Sequence, residues 1–136
     1  MILRTLTVGA GGFLGASARY LLGGAIYRWL PATFPWATFV INVTGCFGIG
    51  FIVALAEERM LLGPTTRLFL TVGVLGGYTT FSTFGYETIA LLRESSFGSA
   101  ALNVLGQVAL GLQDLPATVE KATVLFYRAG ERPPKG

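Results

Sequence analysis

Long apolar runs separated by short polar turns dominate this chain. Four segments follow one another, at about residues 3–30, 36–56, 67–92 and 97–112. The turns between them hold Pro31 and Pro35, then Glu57, Glu58, Arg59, Gly63 and Pro64, then Arg93, Glu94, Ser95 and Ser96. Runs of this length match the roughly 20 residues a helix needs to cross a bilayer core of about 30 Å. The pattern predicts one all-α membrane domain over residues 1–127 with four transmembrane helices, and a mobile polar tail at 128–136. Segment four is the weakest: after Leu112 come Gln113, Asp114, Pro116, Glu120 and Lys121. Pro116 is expected to kink or end the helix. The run is then a short or tilted span, or one that continues through polar residues buried against a partner.

Segment three breaks the apolar pattern at its centre. Gly76 and Gly77 are followed by Tyr78, Thr79, Thr80, Phe81, Ser82, Thr83 and Phe84. Paired glycines loosen a helix, and hydroxyls can take over freed backbone groups. Polar or irregular backbone at membrane depth persists only where it is buried in protein or lines a water-filled path. The stretch therefore reads as a broken helix and the working part of an ion pathway. Two phenylalanines three apart are, in an arbitrary helix, lipid-facing or core packing. The hydroxyls and the glycine pair turn that reading toward a pore lining.

The other segments carry isolated signals. Arg28 and Trp29 close segment one like an interfacial belt. Gly11 and Gly15 form a GxxxG pair that lets helices approach closely. A dinucleotide fingerprint is excluded, because Leu14 stands where it needs glycine and no acid precedes Glu57. Arg19 lies well inside the span, so it either faces a cavity or snorkels to the interface. Asn42 has Thr38 four residues before it on the same helical face, and serves either an interhelical hydrogen bond or a pore. Glu87, a turn past Phe84, reads as a structural hydrogen-bond partner near the membrane edge.

Composition agrees with the pattern. Of 136 residues, 52% are hydrophobic and 12% charged, about half the charge of a soluble domain. The net charge of +3 comes largely from Arg128, Arg132 and Lys135, which favours anionic headgroups over nucleic acid. Cys46 is the only cysteine and histidine is absent, which removes disulfides, thiolate metal cages and the usual general base. The first apolar run continues past the length of a cleavable signal peptide and offers no obvious cleavage site. Loop cations are nearly balanced, Arg4, Arg59 and Arg67 against Arg28 and Arg93, so they set little orientation. Four spans are few to enclose a pore, and a homo-oligomer is expected.

Three motifs occur in order: Gly12-x-x-Gly15-Ala16-x-x-Arg19-Tyr20, Thr38-x-x-x-Asn42-x-x-Gly45, and Gly76-Gly77-x-Thr79-Thr80-Phe81-Ser82-Thr83-Phe84. Together they resemble the Fluc family of bacterial fluoride channels, and the match reaches as far as segment four. The resemblance implies an antiparallel dual-topology homodimer in the bacterial inner membrane, with two fluoride pores and the third helix broken near its middle. It implies a structural Na⁺ at the two-fold centre, held by main-chain carbonyls of Gly76 and Thr79 from both subunits. Phe81 and Phe84 match the pore aromatics, Asn42 the pore asparagine and Arg19 the vestibule arginine. It also implies export that relieves the toxicity of fluoride accumulated in the cytoplasm. Segment four departs from the family pattern, which tends to carry tyrosine and hydroxyl residues there. Here Asn103 and Gln107 share one face with Gly111 and Leu115, and their amides can donate to an anion as hydroxyls can.

The residue types suit fluoride. A pore for a small, strongly hydrated anion must return good donors without fixed charge that would bind too tightly. Asn42 and the hydroxyls of Thr79, Thr80, Ser82 or Thr83 can do so, and the edges of Phe81 and Phe84 are electropositive. Arg19 at a pore mouth raises local anion concentration. No phosphate-binding loop is present and no carboxylate precedes Glu57, so passive conduction is expected. The alternative is a four-span proton-coupled exporter resembling the small multidrug-resistance family, which needs an acid in its first helix where this chain has Arg19. A third reading is a subunit whose glycines and Asn42 only pack helices. An enzyme is not expected.

Overall fold

The computed structural model describes residues 1–59 and 62–128, with side chains described except at 54, 57–59 and 113–128. Every described element is helical. Helix α1 covers Ile2–Ile26 and α2 covers Trp36–Arg59. Between them Phe34, Trp36 and Phe39 cluster with ring centroids 4.7, 5.7 and 6.3 Å apart, which closes the turn over an apolar knot. The third arm begins with α3 (Pro64–Leu68), whose Pro64 sits in the first turn where its missing N–H costs nothing. It continues as a π-helix, Phe69–Leu75, and a single turn, α4 (Gly76–Tyr78). Thr79 (φ −78°, ψ 160°) and Thr80 (φ −151°, ψ 113°) are extended, and α5 then runs Phe81–Arg93. A turn with Ser95 at φ 59° leads to α6, Phe97–Arg128.

Among the described residues, two stretches are long and apolar enough to cross a membrane: Trp36–Val53, with mean hydropathy 1.8, and Pro64–Arg93, with 1.2. Phe97–Leu112 is a shorter apolar stretch at the start of α6. Few apolar side chains are buried, Phe34, Ala37, Ile41, Leu91 and Ala100 among them, while Phe13, Trp29, Phe81 and Leu105 are among many left exposed. A soluble monomer rarely leaves so much apolar surface bare. With helices of this length and hydropathy, the chain is a helical membrane protein.

Two expectations are refined. Gly76 and Gly77 stay helical, and the extended residues fall just beyond, at Thr79 and Thr80. Gly77 serves close approach: a Cβ there would lie 2.6 Å from the Gly12 carbonyl oxygen. Pro116 does not end α6, whose helical backbone runs through it to Arg128. The rest of the expected tail, residues 129–136, lies outside the described residues.

The glycines of α1 find their partner within the same chain. α1 packs along the π-helix and α4, while α6 lies along α2 and touches α5. A Cβ on Gly11 would sit 2.7 Å from the Phe69 carbonyl oxygen and 2.8 Å from the Gly73 Cα. One on Gly15 would run into the Val74 carbonyl oxygen and lie 2.8 Å from the Tyr78 nitrogen. Backbone thus rests on backbone, a contact only glycine allows. It also braces the wider π-helical turns, which are poor hydrogen-bonding geometry on their own.

Candidate functional site

The site is assembled where α2 and α6 meet the two extended residues. Extended backbone inside a helical arm leaves peptide groups without helical partners. Asn42, from the middle of α2, takes both groups of Thr80: the Thr80 N–H donates to Asn42 Oδ1 at 2.9 Å, and Asn42 Nδ2 donates to the Thr80 carbonyl at 3.1 Å. The Thr80 hydroxyl caps α5 by accepting from the Thr83 N–H at 3.3 Å, the usual role of threonine before a helix. It donates in turn to Thr83 Oγ1 at 3.0 Å and lies 3.4 Å from Ser82 Oγ.

A chain of amides extends from Asn42 into α6. Asn42 Nδ2 also donates to Gln107 Oε1 at 2.7 Å. Gln107 Nε2 donates to Asn103 Oδ1 at 2.6 Å, and Asn103 Nδ2 donates to Thr88 Oγ1 at 3.0 Å. Thr88 donates to the Phe84 carbonyl at 2.8 Å. Asn103 is fully buried and Gln107 nearly so. Buried amides of this kind persist only when paired, and here each one is.

Two cavities meet at Thr80. The first, about 370 Å³, is a groove whose walls include Asn42, Thr79, Thr80, Phe81, Phe84 and Gln107, with no charged residue among the described ones. The Phe81 and Phe84 rings stand 5.7 Å apart at 38°. In the single chain Phe81 is 83% exposed. The second cavity, about 850 Å³, is lined by Arg19, Arg28, Thr38, Thr80, Thr83 and Glu87 among others. Arg19 lies on this wall. Thr38 donates to Glu87 Oε1 at 2.9 Å, and Glu87 Oε2 is buried with no hydrogen-bond partner among the described residues.

The carbonyls of Gly76 and Thr79 are set apart by the same bonds. In a continuous helix their partners would be the N–H groups of Thr80 and Thr83. Those two donors are taken by the Asn42 and Thr80 side chains. Gly76 is exposed on the single chain and Thr79 half-buried. Among the described residues no cluster of histidine, cysteine or carboxylate side chains could hold a metal.

Of the candidate site residues, Asn42, Gly76, Thr79, Thr80, Phe81, Phe84 and Gln107 line the groove and Arg19, Thr80 and Thr83 the wider cavity, while Asn103 and Ser82 line neither. Ser82 is exposed beside Thr80. Thr88 was missed: a lone threonine in an apolar helix carries no signal until Asn103 is seen to reach it. Glu87 makes the structural hydrogen bond expected of it, and the partner, Thr38 of α2, is what the sequence did not name.

Fold and site together define a helical membrane protein with an open groove in which a few uncharged polar side chains of the described residues stand among apolar ones. Residues 6–117 match the family described as CrcB-like protein, Camphor Resistance (CrcB), and the chain belongs to that family. Its curated relatives are named as channels. It is 50% identical over 109 residues to the fluoride-specific ion channel FluC of Solibacter usitatus (strain Ellin6076), covering 80% of this chain and 89% of the relative. It is 50% identical over 107 residues to FluC of Geobacter sulfurreducens (strain ATCC 51573 / DSM 12127 / PCA), covering 79% and 86%. With FluC of Nitrobacter winogradskyi (strain ATCC 25391 / DSM 10237 / CIP 104748 / NCIMB 11846 / Nb-255) it shares 44% over 120 residues, covering 88% and 95%.

Proposed function

We propose that this protein is a passive fluoride-selective channel of the bacterial inner membrane, acting as an antiparallel homodimer with two pores. The observation that carries the reading is the uncharged groove that meets the Arg19 cavity at Thr80. Its relatives' shared name supplies the ion. Export through it lowers cytoplasmic fluoride.

The residues divide the work. Arg19 attracts anions into the wider cavity, where no carboxylate of the described residues pairs with it. Thr83 accepts from Thr80 and keeps its own proton to offer, while Ser82 on the same turn lies 3.4 Å from the Thr80 hydroxyl, whose proton goes to Thr83. In the groove, Gln107 has a second N–H beyond the one given to Asn103. Phe81 and Phe84 present ring edges. Beyond Arg19 at the mouth, none of these donors carries fixed charge, so the ion can leave as readily as it enters. The exposure of Phe81 and Gly76 supports a second copy as the groove's missing wall.

The broken third helix has a second role in this reading. The carbonyls of Gly76 and Thr79 are released from helical pairing and fit a hard monovalent cation, and with the partner's pair they would hold the structural Na⁺. The carbonyls of Gly76 and Thr79 would supply neutral oxygen ligands there, and sharing one ion would tie two subunits together.

The test uses purified protein in liposomes, with fluoride and chloride efflux followed by electrodes. Expected are fast fluoride efflux, little chloride efflux, and severe loss of fluoride efflux in Phe81→Ile with folded yield unchanged. Efflux that needs a proton gradient would instead favour the coupled exporter.

A further inference from the structure

We infer that Gln107 is a positioning residue: it holds the Asn42 amide in the one orientation that reads both peptide groups of Thr80, and so keeps the interruption of the third arm in place. The inference rests on the channel reading only for what the interruption is for.

The argument follows the direction of each proton. The Thr88 hydroxyl gives its proton to the Phe84 carbonyl, so its oxygen is left to accept. Asn103 must therefore present its NH₂ to Thr88, which turns its oxygen toward Gln107. Gln107 must then present its own NH₂ to Asn103, which turns Oε1 toward Asn42. Asn42 meets that oxygen with an N–H, and its Oδ1 is left facing the Thr80 N–H. One ordinary helical carbonyl thus sets the sense of three amides in series. Rotating the Asn42 amide by half a turn would set its oxygen against the Thr80 carbonyl and Gln107 Oε1, and its NH₂ against the Thr80 N–H. Water offers little competition, because Asn103 and Gln107 are buried.

A consequence separates this role from ion binding. An asparagine has two N–H donors, and both of Asn42's are committed, to the Thr80 carbonyl and to Gln107. In this conformation Asn42 acts on the ion through the backbone it holds. The pair also explains why α6 carries amides: a serine at position 107 would be too short to reach Asn42.

The test compares amide hydrogen exchange at Thr79 and Thr80 by NMR in protein labelled with ¹⁵N-threonine. The Thr79 N–H is held by a backbone carbonyl, that of Leu75 at 3.0 Å, and serves as the internal control. In Gln107→Met the Thr80 N–H is expected to exchange about tenfold faster or more, the order of one net hydrogen bond, with Thr79 unchanged. Gln107→Ser, smaller and also without reach, gives the same result should the methionine variant fail to fold. In liposomes, Gln107→Met lowers fluoride efflux about tenfold, the same factor. Unchanged Thr80 exchange in the loss variants, equal acceleration of Thr79 and Thr80, or wild-type efflux despite a freed Thr80 each overturns the inference. Wild-type protein that passes no fluoride overturns the channel reading instead, and the Thr79–Thr80 comparison still decides the role of Gln107.

Discussion

The third arm is held in two different ways on either side of Thr79. Before it, the π-helix and α4 lie on α1 through Gly11, Gly12, Gly15, Gly73 and Gly77, with main chain against main chain. After it, α5 is held by side-chain hydrogen bonds from Thr38 and Asn42 of α2 and Asn103 of α6. The first seam works because side chains are missing, the second because particular ones are present. Shape alone fixes distance, and it leaves hydrogen-bonding direction free. The polar seam adds direction, which a residue pair with extended backbone needs, since its N–H and C=O must be met one by one. The interruption falls where the first kind of contact gives way to the second.

The comparison can be broken most severely at Gly15. Gly15→Leu has no way to relax, because the obstructing atoms are the backbone of Val74 and Tyr78. It should cost on the order of 3 kcal/mol or more and abolish a monodisperse elution profile. Asn42→Ala comes next. It strands both peptide groups of Thr80, and a thermal unfolding scan should show a loss of about 2–3 kcal/mol. Fluoride efflux should fall further than that loss of folded protein explains. Survival of Gly15→Leu, or an unchanged melting profile in Asn42→Ala, would remove the distinction between the seams.

Smaller effects sharpen it. Arg19 belongs to neither seam, so Arg19→Gln should leave the melting temperature unchanged. It should lower fluoride efflux about threefold at low ionic strength, with the difference fading as salt rises, because attraction between exposed charges is screened. Gly9 lies on α1 outside the close contact, and a Cβ there would meet nothing within 4 Å. Gly9→Ala should therefore raise stability by about 0.5–1 kcal/mol, the helical penalty of glycine. A loss there would extend the main-chain seam beyond Gly11.

The helices were legible because hydropathy is a local property. Apolar runs bounded by proline and charge place α2, the third arm and the start of α6 close to where they are. The interruption was legible to within a few residues, since glycines and hydroxyls gather around it. Its exact place was not, because Gly76 and Gly77 look like the weak point and Thr79 is the residue that departs. The π-helix was not legible either: Phe69–Leu75 reads as ordinary apolar helix, and its widened turns lie against α1. Of the readings open at Pro116, an ended helix is not what forms, since a helix can carry a proline when the rest of it continues to pair.

By itself the sequence determined that this is a helical membrane protein of the CrcB-like family with an uncharged polar centre, because composition, segment length and motif order do not depend on how segments meet. Only the tertiary structure decided what Asn42, Asn103, Gln107 and Thr88 do for one another. Hydrogen bonds have direction, and the sense of each amide is set by a neighbour that lies 15 to 65 residues away along the chain or on the next helical turn.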